Sequence, residues 1–252
     1  MTEKKLAQKC ESMCLPYHTL PHEWQTELLR LVNDAKTHPS LLDQKLADAQ
    51  QACTYSPLES HLTPIRQRLS DACLETSREI EAFLKNLSPK NAVLSFSGTQ
   101  KPWTVAENQT YYRLTEQILS LQREVQAMLQ TLFSLSLNET LSERAEIDRS
   151  SHLEILRMAI LLLPTEKYDT PAMLQSLKDI SDNFSRVAQK TKADLSALIE
   201  CCENTLPGRI DAFFQNAEKN KTDALRILAK QFSALSSASF LINGLDFSLK
   251  MS

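Results

Sequence analysis

LTEQILSLQREVQAMLQTLFSL, residues 114–135, decides the fold. Leu114, Ile118, Leu121, Val125, Met128, Leu132 and Leu135 recur at alternating steps of four and three, and all seven are apolar. That spacing is the seam of a helix that packs lengthwise against other helices. Ile118 and Val125 take a positions; Leu114, Leu121 and Leu135 take d positions. The flanking positions carry Gln117, Gln122 and Leu129, with Glu124 the charged member, and Leu119 and Phe133 widen the apolar face. A wide face with few flanking charges suits the inside of a multi-helix bundle. β-branched a residues with leucine at d equally suit a parallel dimer, so self-association through these seven residues is the second reading. Upstream, Thr104 and Glu107 have the spacing of a capping box and mark the start of this helix.

The composition of the whole chain agrees. Among 252 residues there are 3 glycines, 40 leucines, 5 valines and 16 aromatics. Average usage would give about 18 glycines. Sheets and hairpins need glycine turns and β-branched residues, so a sandwich, a barrel and most doubly wound folds are excluded. A glycine-rich phosphate loop cannot be assembled either. The expected fold is all-α: an elongated antiparallel multi-helix bundle with coiled-coil character.

Prolines punctuate the helices. A short polar helix is expected over 2–13, then one from Pro21 to about Lys36, and one from Ser40 to about Cys53. Ser56-Pro57 and Thr63-Pro64 each look like a cap followed by proline. They predict a short turn and then a long helix from Pro64 to about Leu87. Residues 88–104 hold two prolines and one glycine and form the longest expected loop. After residue 135 the apolar phase breaks around Ser134 to Asn138. It resumes at Leu153, Leu156, Ile160 and Leu163. Thr170-Pro171 opens the next helix, Pro207-Gly208 ends it, and a last helix runs from about Arg209 to Ser236. Leu245, Phe247 and Leu249 alternate with polar residues, as in a strand, and 92–97 could pair with 245–249 as a minor two-strand patch. The expected organisation is N-terminal helices over 1–87, a loop over 88–104, and a long-helix bundle with its tail over 105–252, packed as one domain.

Net charge is −3, with 28 basic and 31 acidic residues. This lacks the basic footprint of a nucleic-acid binder. The longest apolar run, Met158 to Leu163, has six residues, against the roughly 20 that a membrane span needs. The polar start, Met1 to Lys9, does not read as a secretory signal. The expected setting is the cytoplasm, or export without a cleaved signal peptide. Six cysteines without framework spacing are expected to be reduced thiols.

Cys10, Cys14, His18 and His22 recur every four residues, and two thiolates with two imidazoles could complete a zinc site. On an unbroken helix they would form one stripe, which cannot surround an ion; the prolines at 16 and 21 would have to curl the chain. The competing expectation is no metal, with the cysteines facing a core. Cys201 and Cys202 point about 100° apart on a helix, so one is expected buried and the other partly exposed. No HExxH and no GxSxG occurs. The candidate contacts for a partner are Phe96, Lys101 and Trp103 in the loop, and Leu245, Phe247 and Leu249 in the tail. Trp103 is otherwise expected to tuck against the bundle.

No cofactor is implied, and no catalytic constellation is visible. The expected function is therefore non-enzymatic: a helical scaffold, adaptor or effector that binds other proteins. Two further readings follow. One is a membrane-surface module similar in size and helix length to BAR domains, a resemblance of architecture only. The other is a metal-dependent helical-bundle enzyme.

Overall fold

The computed structural model describes residues 1–54, 57–91 and 103–238. All regular structure among the described residues is helical: α1 (Glu3–Ser12), α2 (His22–Thr37), α3 (Ser40–Thr54), α4 (Pro57–Asn91), α5 (Val105–Leu162), α6 (Thr170–Glu200), α7 (Leu206–Ala217) and α8 (Lys221–Ala238). The all-α expectation holds. The strand pairing of 92–97 with 245–249 falls outside the described residues. The chain divides into two compact units that interleave along the sequence. Unit 1 takes Met1–Pro57 and Leu137–Thr191; unit 2 takes Leu58–Ser136 and Lys192–Ser252.

In unit 1, Leu28, Leu31, Val32 and Ala35 of α2 share one face and are buried with Leu6 and Cys10 of α1, and with Ile155, Ala159 and Ile160 of α5. Polar groups tie the elements together. The Tyr168 hydroxyl donates to the Ala35 carbonyl at 2.9 Å, and the Lys9 ammonium donates to the Leu162 carbonyl at the end of α5. A cation there also suits the negative end of the helix dipole.

In unit 2 the seven seam residues of α5 are all buried, packed with Leu69, Cys73 and Ile80 of α4 and Leu225, Leu228 and Phe232 of α8. Two ion pairs mark the register of α4 against α5. Arg68 meets Glu124 at 2.9 Å, and Arg113 meets Glu79 at 3.5 Å. Eleven residues forward on α4 are eleven residues back on α5, so the two run antiparallel. The α4–α8 pair is antiparallel too: Ser70 meets Ser236 at 3.1 Å, and the Ser77 hydroxyl donates to the Ala229 carbonyl at 2.9 Å. Here seven residues forward on α4 are seven residues back on α8, two turns, so one face of each helix is used throughout. Arg66 and Asp194 form a nearly enclosed pair at 3.2 Å.

Several expected boundaries move. α4 starts at Pro57 and passes straight through Pro64 with no turn there, and it extends to Asn91, past the expected end at Leu87. Pro64 lacks the N–H that would bond four residues back, but it sits in the second turn and the helix carries on, with the Thr63 hydroxyl donating to the Glu59 carbonyl at 3.0 Å. α5 is one unbroken helix of 58 residues. Pro207-Gly208 ends nothing. It lies in the first turn of α7, where a missing N–H costs nothing, and a π-helical segment, Cys201–Thr205, joins α6 to α7. The expected last helix is two, parted at Glu218–Asn220. Asn220 caps α8: its side-chain oxygen accepts from the Asp223 N–H at 3.3 Å. At the start of α6 the cap is Asp169, whose carboxylate accepts from the Ala172 N–H at 3.3 Å, while the buried Thr170 hydroxyl has no partner.

Candidate interaction surface

The heptad count does not break after Leu135. Continued in steps of four and three it reaches Glu139, Ser142, Glu146 and Arg149, then Leu153, Leu156 and Ile160 in the same phase. Four polar residues fill the gap, so the apolar stripe is interrupted while the helix continues. None of the side chains described between Leu135 and Ile155 is buried. Within this stretch the apolar residues lie off the seam. Leu137, Leu141 and Ile147 are 74%, 62% and 66% exposed. At 100° per residue they lie about 120° or more around the helix from the seam.

Beside Ile147 lies an open groove of about 610 Å³, lined by Trp24 of α2 with Glu143, Glu146, Ile147, Ser150 and Ser151 of α5. Trp24 reaches it from the first turns of α2, where it is half-buried against the unit 1 core. Arg149 points elsewhere. Its guanidinium stacks 4.7 Å from the Phe184 ring and donates to the Ala52 carbonyl at 3.0 Å.

The residues singled out from sequence occupy other places. Cys10 is enclosed in the unit 1 core, and burial pushes its thiol pKa up. Cys14 is exposed with φ 58° at the end of α1. The N–H of Cys14 bonds the Glu11 carbonyl and the N–H of Leu15 bonds the Cys10 carbonyl, at 3.0 and 2.8 Å, a Schellman closure with cysteine at the left-handed position. His18 pairs with Glu11 at 3.0 Å, and His22 begins α2 on the surface. Among the described residues no three of the His, Cys, Asp and Glu side chains are grouped to hold an ion. Cys201 and Cys202 are both buried, against the expected split, because the wider π turn sets both toward the core. Burial pushes the Cys73 and Cys202 thiols up to about 12, so they remain protonated at neutral pH and are poor nucleophiles.

Trp103 wedges between Phe83 and Tyr111, edge-on to both at 5.7 and 5.4 Å. The Lys221 ammonium lies 5.5 Å from the Trp103 ring and 4.8 Å from Tyr111. A lysine opening α8 has the wrong sign for the helix dipole, and the two ring faces offset that. Next to it, Thr104 and Glu107 form the expected capping box: the Thr104 N–H donates to the Glu107 carboxylate at 2.7 Å, and the Glu107 N–H to the Thr104 hydroxyl at 3.2 Å. Phe96, Lys101, Leu245, Phe247 and Leu249 lie outside the described residues. Sequence reading passed over Leu137, Leu141 and Ile147. Extending the heptad count beyond Leu135 would have found them, as large aliphatic residues that miss every a and d position.

Among known protein families, curated proteins and solved structures, none matches this chain. None of the described helices is long and apolar enough to cross a membrane.

Proposed function

We propose that the protein is a non-enzymatic helical scaffold or adaptor that engages another protein through the outward face of α5 around residues 137–147. The observation that carries this reading is the exposure of Leu137, Leu141 and Ile147, each above 60%, on one face of a helix whose seam positions there are polar. Covering a side chain of this kind contributes roughly 1.5–3 kcal/mol. Clustered aliphatic exposure rimmed by charge is the usual signature of a protein-binding patch. The spacing of Leu137 and Leu141, one turn apart, fits recognition by a helix laid alongside.

The test is a photo-crosslinking amino acid placed at Leu141 in the full chain and irradiated in the source cells. Ser120, exposed on the same helix, serves as the control position. A discrete heavier adduct from position 141 and none from 120 is the expected result. Equal yields at both positions, or no adduct, would remove this reading.

A further inference from the structure

We infer that residues 137–152 of α5 form a conformational switch, a helical segment that opens to coil while the buried stretches before and after it stay folded, with Arg149 as the latch that holds it shut. The inference goes beyond the proposed function, and its test needs no partner.

Opening has little burial to oppose it. Leu135 is the last buried side chain before the segment and Ile155 the first after it, and none of those described between them is buried. The part of α6 that Arg149 leans on is uncovered as well: none of the described side chains from 181 to 190 is buried. The Arg149 guanidinium stacks 4.7 Å from the Phe184 ring of α6 and donates to the Ala52 carbonyl near the end of α3 at 3.0 Å. One residue on from Ala52, the Cys53 thiol donates to the Ile180 carbonyl at 3.2 Å. Arg149 thus closes onto a junction where α3 and α6 are already tied. Glu139 and Glu143 have partners of their own, and polar pairs near a surface contribute little.

The change can happen in place. Residues 137–152 span about 24 Å as helix, and a flexible coil of the same length has an r.m.s. span of roughly 20–24 Å, so the flanking turns need not move. An interior break adds helix ends, and starting a helix anew is costly. The segment therefore opens as a block. Leu137, Leu141 and Ile147 all lie within it, so opening dissolves the face proposed above, and the apparent affinity there scales with the fraction latched.

Amide hydrogen exchange on the full chain tests this. Backbone amides of 138–148 should exchange about a hundredfold or more faster than those of 118–132, although both stretches are α-helix. Arg149→Met removes the charge and the donors but keeps an unbranched stem. It should speed exchange across 138–148 about tenfold further and leave 118–132 unchanged. Arg149→Lys, which keeps the charge without the planar fork, should fall between. Arg144→Met, at an exposed position on the same segment, should match the parent chain. Equal protection of the two stretches in the parent chain would overturn the inference. So would an Arg149→Met chain whose exchange rises equally in both, or an Arg144→Met chain that exchanges as fast as Arg149→Met.

Discussion

Residues 114–135 and 137–152 lie on the same helix and obey the same seven-residue count, yet they meet opposite environments. In the first stretch every a and d position is apolar and buried against α4 and α8. In the second those positions are Glu139, Ser142, Glu146 and Arg149, and the aliphatic residues stand on the outside. Both stretches are α-helix. Helix continuity and core membership are therefore separate properties of α5. Good helix formers such as Glu, Leu, Arg and Ala sustain the backbone without a core beneath them. The phase of the apolar residues decides whether a core forms.

The comparison can be broken most directly by truncation on each side. Ile118→Ala, at a fully enclosed position, should cost about 4 kcal/mol by leaving a cavity in the seam, read as a lower denaturant midpoint. A loss below 1 kcal/mol would show that unit 2 can collapse around the gap.

Titration sharpens the comparison from the chemical side. Cys73 and Cys202 belong to the same core as the seam, and each holds its proton up to about 12, against an ordinary thiol value of 9.0. Their folded values lie above their unfolded ones. The stability they share with the fold is thus complete below pH 9 and drains as pH climbs from there toward 12. The slope should approach about 1.4 kcal/mol per pH unit for each thiol. Chemical denaturation at pH 8, 9 and 10 measures it, and a flat profile would mean that these thiols titrate as if exposed.

Removing the cap at the head of the buried stretch is a smaller perturbation. Thr104→Ala should cost about 1 kcal/mol and increase amide exchange in the first turn of α5 more than in its middle. The smallest effect is expected at Leu141→Ala, within about 0.5 kcal/mol, because the side chain is already mostly exposed. Equal thermal shifts for Ile118→Ala and Leu141→Ala would erase the distinction between the two stretches.

Much of the helical layout was legible because its signals are local. The capping box at Thr104 and Glu107, the start of α3 at Ser40 and the seam from Leu114 to Leu135 each depend on residues within a few turns of one another. Proline misled the reading at two places. At Pro64 and Pro207 a proline reads as a boundary, yet the chain stays helical through both. The opposite error came at Glu218–Asn220, where no proline or glycine marks the break and an asparagine cap does the work. The interleaving of the two units was not legible, since it depends on which distant helices pack together. The candidate surface was half legible: Leu137, Leu141 and Ile147 are plain in the sequence, but their exposure shows only once Glu139, Glu146 and Arg149 are seen to hold the seam positions.

Interleaving also sets a timetable. The chain leaves the ribosome at about 5–20 residues per second. Leu121 of the seam is made 107 residues before Leu228 of α8, which shares its core. The seam consequently waits on the order of 5–20 seconds for that cover at this rate of synthesis. During that interval α4, already made, can shield only part of it. Unit 1 is fully synthesised once residue 191 is made. Ribosome-bound chains arrested at successive lengths and probed by brief proteolysis should show α5 cut readily until α8 has emerged. For that interval the nascent chain is a client for whatever holds apolar segments apart, and slower translation across 136–220 would lengthen its exposure.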